Sequence, residues 1–158
     1  MKRHRRKLVW KLFQSYLLIT LLSLISVALF ASNTLKHLYL DTTQKDLRVK
    51  ARLFSRLLPE DVSYPNADEI HRLCRSVGNS LETRITVILT NGTVIGDSDY
   101  NYLVMDNHGT RPEIIAAFNG NEGMSTRYSK TLEKDLMYVA IPLRKRGDIT
   151  AVVRTSMP

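Results

Sequence analysis

The sequence predicts an α+β protein in which a membrane-spanning helix continues into a long helix, followed by a five-stranded antiparallel sheet with flanking helices. Three features carry this prediction. Residues 12–31 contain no charged side chain, and residues 33–58 keep helical spacing without Gly or Pro. From residue 84 onward, short segments alternate polar and apolar side chains with a period of two, which is typical of strands.

The uncharged segment, residues 12–31, is long enough to cross a bilayer, because a hydrocarbon core of about 30 Å requires about 20 helical residues. A cleaved signal peptide has a shorter apolar core, and a buried core helix rarely lacks charge over this length. We therefore expect a cytoplasmic tail at 1–11, a transmembrane helix at 12–32 and an extracytoplasmic domain at 33–158 of a cell-membrane protein. The orientation rests on six cations before the segment: Lys2, Arg3, Arg5, Arg6, Lys7 and Lys11.

The net charge of +8 comes largely from this tail. The chain has 23 Lys+Arg against 15 Asp+Glu, and residues 12–158 are close to balanced. The basic composition therefore reflects membrane orientation, and we expect no nucleic-acid partner. Cys74 is the one cysteine, so no disulfide can form within the chain.

The helix predicted at 33–58 carries two neighbouring apolar stripes. One stripe has the alternating three/four spacing of a coiled coil and contains Leu40, Leu47, Ala51, Phe54 and Leu58. The other contains Val49, Leu53 and Leu57. The first stripe is explained either by packing on the helix's own domain or by pairing with the same helix of a second subunit, and both alternatives stay open.

The remaining elements follow from local signals. A second helix is expected at 68–81, and two strands are expected around the Asn91-Gly92 turn. Thr110 and Glu113 have the spacing of a capping box, which predicts a short helix beginning at Thr110. Three further strands are expected at 124–130, 136–143 and 149–155.

Residues 97–142 carry a series of motifs in one order: Asp97-Ser98, Asn107-His108-x-x-Arg111-Pro112-Glu113, Arg127-Tyr128-Ser129-x-Thr131 and Met137-Tyr138-Val139. This series resembles the extracytoplasmic sensor region of histidine kinases of the phosphate-regulon type, a single-Cache or PAS-like domain. The resemblance implies a homodimeric two-component sensor that reaches its response regulator only through a kinase region. We expect this chain to be the sensor part, without kinase activity, because it stops where a second transmembrane helix would begin.

The polar side chains of these motifs are the candidate ligand-binding residues: Asp97, Ser98, Asn107, His108, Arg111, Arg127, Ser129 and Tyr138. Arg111 and Arg127 could hold an anionic group by forked hydrogen bonds. Alternatively, Asn107, His108 and Arg111 tie the loop to the sheet. The cluster lacks the ligand offsets of a calcium loop, so we expect no metal and no cofactor. No Ser/His/Asp or Cys/His arrangement has support beyond single residues, so we expect no catalytic residue.

Three hypotheses for function remain. The chain is a sensor module that reads an envelope or extracellular cue and moves its membrane helix, a tethered domain that binds a protein or an envelope polymer, or an anchored adaptor without a ligand. The sequence favours the first hypothesis because of the resemblance.

Overall fold

The computed structural model describes residues 2–129 and 133–158, with side chains from residue 10 onward except at position 134. The side chains of five predicted orientation cations, Lys2, Arg3, Arg5, Arg6 and Lys7, lie outside this description. The same holds for Lys130, where a strand is predicted to end, and for Thr131 of the Arg127 motif.

The order of helices and strands confirms the predicted α+β fold. Helix α1 spans Lys2–Leu57, α2 spans Ala67–Leu81 and α3 spans Pro112–Phe118. The strands are β1 (Arg84–Leu89), β2 (Val94–Asp97), β3 (Gly123–Ser129), β4 (Lys134–Lys145) and β5 (Asp148–Met157).

The chain divides into two compact units, residues 1–42 and residues 43–158. Within the described residues, α1 is the helix that is long and apolar enough to cross a membrane. Its large apolar side chains between Trp10 and Phe30 are half or more exposed in nearly every case. These features are consistent with a single-pass membrane protein.

The second unit is built on an antiparallel sheet with the strand order β2-β1-β5-β4-β3. The last strand of the chain, β5, therefore lies in the centre and pairs with β1 on one side and β4 on the other. Thr86 of β1 is opposite Arg154 of β5, and Ala140 of β4 pairs with Arg154 on its other side. This central position explains the apolar run around Val152 and Val153, which are fully buried.

The first apolar stripe of α1 packs on the chain's own domain, which is one of the two alternatives that its spacing left open. Leu47, Ala51 and Phe54 are fully buried and Leu58 is 6% exposed, while Leu40 is half-buried in the other unit. The Thr155 hydroxyl of β5 donates a hydrogen bond to the Leu47 carbonyl at 2.9 Å, so this stretch of α1 covers one face of the sheet. Three/four spacing marks any buried helix face, which is why it did not distinguish a core from a coiled coil.

The neighbouring stripe of α1 is open to solvent. Val49, Leu53 and Leu57 are 54%, 52% and 56% exposed. On the same helix, Arg48 and Arg52 form ion pairs with Glu122 at 2.7 and 2.5 Å, which join α1 to the turn before β3.

The capping box predicted at Thr110 is wrong. Helix α3 begins at Pro112, its N-cap is Arg111, and no side chain caps it. Glu113 does not reach back to the backbone of Thr110, because its carboxylate is fully buried and paired with arginines. Tertiary charge pairing replaced the local cap.

Candidate functional site

The face of the sheet opposite α1 carries a cavity of about 290 Å³. Side chains alternate along a strand, so Arg154, next to Thr155, faces away from α1. The segment between β2 and α3 covers this face and closes the cavity. The residues that line the cavity come from four strands and from this covering segment: Arg84, Tyr100, Val104, Met105, Asp106, His108, Arg111, Arg127, Ser129, Tyr138 and Arg154.

Asp97 anchors the beginning of the covering segment. Its carboxylate is fully buried and accepts hydrogen bonds from Arg84 Nε at 3.1 Å and from the Thr86 hydroxyl at 2.7 Å. The backbone N–H groups of Asp99 and Tyr100 donate to the same carboxylate at 3.0 and 3.1 Å. Because these donors occupy both oxygens, Asp97 serves to fix the loop and does not face the cavity.

Glu113 is the second buried carboxylate on this face. Its Oε1 accepts from Arg127 Nη2 at 2.9 Å and lies 3.5 Å from Arg154 Nη1. Burial alone would raise the pKa of Glu113, but the Arg127 hydrogen bond, its own backbone group and the charge of Arg154 outweigh burial and lower it. One carboxylate is therefore shared by two guanidinium groups.

An aromatic ring completes the floor of the cavity. The guanidinium carbons of Arg127 and Arg154 lie 4.1 and 4.9 Å from the ring centre of Tyr138. Arg154 also donates to the Thr86 hydroxyl at 3.1 Å. Burial and the nearby charge of Arg84 lower the pKa of Arg154 to about 10, so it remains charged at neutral pH.

His108 closes the cavity from the loop side as a neutral imidazole. Burial, together with the positive charges of Arg154 and Arg111, lowers the pKa of His108 to about 4. Its Nδ1 is enclosed, and among the described residues it has no hydrogen-bond partner. The same is true of the Nε atoms of Arg127 and Arg154.

The loop that carries His108 is held by the β1–β2 turn. Asn107 Nδ2 donates to the Asn91 carbonyl at 2.8 Å, its Oδ1 accepts from Gly109 N at 2.8 Å, and His108 N donates to the Gly92 carbonyl at 2.8 Å. A Cβ at Gly92 would lie 2.1 Å from Asn107 Oδ1, and the φ of Gly92 is +82°. The turn therefore requires glycine both for its backbone conformation and for this close approach.

The predicted site residues divide into two groups. His108, Arg111, Arg127, Ser129 and Tyr138 line the cavity. Asp97, Ser98 and Asn107 instead tie the backbone together, since the Ser98 hydroxyl accepts from Ile85 N at 3.0 Å and donates to Asp99 at 2.5 Å. Ligand binding by any of them stays a prediction.

Sequence reasoning missed Arg84 and Arg154, which line the cavity from β1 and β5. The available signal was an arginine within an otherwise apolar strand, Ala151-Val152-Val153-Arg154. Among the described residues, no group of three or more His, Cys, Asp or Glu side chains could hold a metal ion. Cys74 is fully buried in the core, and burial raises the pKa of its thiol.

The sheet thus carries a covered, charged cavity on one face and α1 on the other. The single Cache-like family matches residues 37–158, and the chain belongs to this family. The sequence-based expectation of a Cache-type domain is therefore confirmed. No curated protein sequence matches the chain.

Several solved sensor domains share the fold. The ligand-binding domain of the Campylobacter jejuni chemoreceptor Tlp3, in complex with 4-methylisoleucine, has a TM-score of 0.60 at 14% identity, covering 76% of this chain and 51% of that one. The V. cholerae histidine kinase DctB sensor domain has a TM-score of 0.55 at 20% identity, covering 75% and 45%. The E. coli DcuS sensor domain has a TM-score of 0.57 at 16% identity, covering 73% and 91%.

The chain thus spans about half the length of the Tlp3 and DctB domains and most of the DcuS domain. At these identities the likeness establishes the fold. The chain therefore shares the single Cache-like fold of these chemoreceptor and histidine-kinase sensor domains.

We expect His108 to make stability depend on pH. Its folded pKa of about 4 lies below the ordinary 6.5, so the unfolded chain binds the proton first and the free energy of unfolding falls as pH drops from 6.5 to about 4. His108→Gln should remove this slope. In both the parent and the His108→Gln variant, protonation of Glu113 should lower the free energy of unfolding further. Because the pKa of Glu113 is lowered in the folded state, this second decrease should begin only below its ordinary pKa of 4.5. Urea unfolding of both proteins across this pH range, monitored by amide hydrogen exchange in β4 and β5, measures the difference in their free energies of unfolding. Parallel pH profiles of the parent and the variant would contradict the prediction.

Proposed function

We propose that this chain is the membrane-anchored, extracytoplasmic sensor module of a two-component histidine kinase of the phosphate-regulon type. The cavity beneath the β2–α3 segment would bind an envelope or extracellular ligand. Phosphotransfer to a response regulator would then occur in a kinase region outside residues 1–158.

The observation that carries the proposal is the cavity and its polar atoms. His108, Arg127 and Arg154 each contribute a buried nitrogen that lacks a hydrogen-bond partner within the described part of the chain. Leaving a buried donor or acceptor unpaired costs about 1–3 kcal/mol. Three such atoms around one cavity are expected where binding matters more than stability.

The histidine-kinase assignment has two supports. The motifs from Asp97 to Tyr138 resemble the phosphate-regulon sensors, and the solved domains of similar fold include a histidine kinase sensor domain. Both supports concern the sensor region alone, so kinase output requires its own experiment.

The uncharged segment and the cations before it support the proposed membrane orientation. We expect alkaline phosphatase fused after Pro158 to be active, because positive flanks keep the N-terminus in the cytoplasm. Neutralising Lys2, Arg3, Arg5, Arg6, Lys7 and Lys11 together should lower that activity. A β-galactosidase fusion at the same junction is the control, and high activity of that fusion would reverse the proposed topology.

A homodimer would use the exposed stripe of α1 and not the buried one. Val49, Leu53 and Leu57 are half exposed, and a kinase of the resembled type works as a pair of identical chains. With Cys74 changed to Ser, Leu53→Cys and Leu57→Cys should crosslink between subunits in membranes. Phe54→Cys should not, because Phe54 is fully buried in its own domain. Equal crosslinking at Leu53 and Phe54, or none at Leu53, would argue against this dimer.

The function as a whole is tested by a chimera. Residues 1–158, joined through a second transmembrane helix to a characterised kinase core, should change phosphotransfer to its response regulator with phosphate supply in the medium. Arg127→Gln should abolish the change, because Arg127 lines the cavity. Arg72→Gln is the matched control, since Arg72 is exposed on α2 and lies outside the cavity.

The alternative function is a tethered interaction domain that binds a protein or an envelope polymer. The exposed apolar side chains of Leu103 and Val104, 64% and 80% exposed on the covering segment, favour it. In the chimera, Arg127→Gln should then leave output unchanged, whereas Leu103→Ser, at a residue outside the cavity lining, should alter it. The two functions therefore give opposite results with the same pair of variants.

A further inference from the structure

We propose that His71 of α2 is a pH-sensitive switch that controls how firmly the covering segment is held where it leaves β2. The neutral imidazole accepts a hydrogen bond from the backbone of Asp97, and protonation removes this acceptor. The inference rests on the sensor function proposed above only for its effect on output, because the switch itself lies within the second unit.

The end of β2 has one backbone donor that requires a partner outside the sheet. β2 is an edge strand, and the N–H of Ser98, directly after it, donates to the Ile85 carbonyl of β1 at 2.9 Å. Neighbouring N–H groups along a strand point in opposite directions, so the Asp97 N–H points away from β1. It donates to His71 Nδ1 at 3.4 Å. His71 therefore supplies the acceptor that a further strand would otherwise supply.

The position of His71 is fixed by the close packing of α2 on β2. A Cβ at Gly96 would lie 3.3 Å from His71 Cα and 3.0 Å from Cys74 Sγ, so the glycine allows the helix to rest on the strand. The His71 ring also lies 5.2 Å from the ring of Tyr102 in the covering segment. The imidazole thus contacts the end of β2 and the covering segment together.

Protonation abolishes the first of these contacts and preserves the second. A neutral imidazole that accepts at Nδ1 carries its proton on Nε2, whereas an imidazolium is a donor at both nitrogens. After protonation, the Nδ1–H of His71 and the N–H of Asp97 face each other as two donors, and the hydrogen bond is lost. The Tyr102 ring remains a favourable neighbour, because an aromatic ring attracts a cation.

The surroundings of His71 can hold either form of the ring. His71 is half-buried and lines a cavity of about 350 Å³, through which a proton can reach it. The titratable and charged groups around it come from α2, from the end of β2 and from the covering segment: Asp68, Arg75, Asp97, Asp99, Tyr100 and Tyr102. The Tyr102 hydroxyl donates to Asp68 at 2.7 Å, and Arg84 donates to the Asp97 carboxylate. A neutral ring has the Asp97 N–H as its donor, and a charged ring has carboxylates nearby that balance it.

The test is NMR of the full chain in lipid nanodiscs between about pH 8 and pH 5, the range in which histidine side chains ordinarily change charge. We expect the ring nitrogens of His71 to change from the Nε2–H tautomer to the imidazolium. The amide signal of Asp97 should shift with the same midpoint. Its protection from hydrogen exchange should fall by about three- to tenfold, the range expected for the loss of one hydrogen bond.

The amide of Val153, fully buried in the central strand β5, is the reference for global opening. Protection at Asp97 is divided by protection at Val153. This ratio removes the contribution of His108, whose lowered pKa of about 4 makes the stability of the whole domain depend on pH. The ratio therefore reports the local contact of His71 alone.

Three variants separate the acceptor from the ring. His71→Gln keeps an acceptor oxygen that does not titrate, so the ratio should no longer depend on pH. His71→Phe keeps a ring beside Tyr102 without an acceptor, so the ratio should already be low at pH 8. His37→Gln is the matched control, because His37 is an exposed histidine of the first unit, and it should behave as the parent does.

Any of three results would overturn the switch: a His71 ring that stays neutral down to pH 5, a ring that titrates without a change in the ratio, or a His71→Gln variant with the pH response of the parent. The chimera described above separates this failure from failure of the sensor function. If it responds to phosphate supply and His71→Gln keeps the acid response of the parent, the switch is wrong and the sensor stands. A chimera without any response, together with the expected NMR result, refutes the sensor function and leaves the switch in place.

Discussion

The shared ion pair of Glu113 with Arg127 and Arg154 is the contact on which the arrangement of the second unit depends. It joins α3, β3 and β5 at one carboxylate that is fully buried. Taking charges out of water is costly, and losing one partner of a buried pair leaves an uncompensated charge that costs about 3–5 kcal/mol. The position of α3 on the sheet is therefore tied to the positions of these two arginines. An apolar lid over the same strands could not satisfy the guanidinium groups, so the face stays polar.

Asp97 plays the complementary part at the other end of the covering segment. Its carboxylate is saturated by Arg84, Thr86 and two backbone N–H groups, which fixes where the chain leaves β2. Glu113 fixes where the chain enters α3. The covering segment is thus held at both ends by buried carboxylates, and its last part before α3 brings His108 and Arg111 to the cavity. Binding residues on a loop that a rigid scaffold holds in place suit a ligand site.

Much of the fold could be predicted because periodicity reports which side of an element is buried. The strands after residue 84, the second helix and the Asn91-Gly92 turn all followed from local pattern. The site could be predicted only in part, because it depends on strand pairing. Arg154 reaches the cavity because β5 inserts between β1 and β4, which no local pattern specifies. Likewise, Glu113 has the correct spacing for a capping box, but its carboxylate binds Arg127 and Arg154, which are distant in sequence.

The turn between α3 and β3 connects the cavity side of the sheet with α1 through very little intervening chain. A Cβ at Gly123 would lie 1.9 Å from the Glu113 carbonyl oxygen, so the backbone of α3 rests directly on the first residue of β3. Glu122 precedes that glycine and holds Arg48 and Arg52 of α1. In a close-packed interior, a contact this close cannot absorb a movement of α3, so the movement is transmitted to β3. A small tilt of α3 would therefore displace Gly123 and, with it, Glu122. Through its ion pairs with Arg48 and Arg52, Glu122 would pass this displacement to α1 on the opposite face of the sheet.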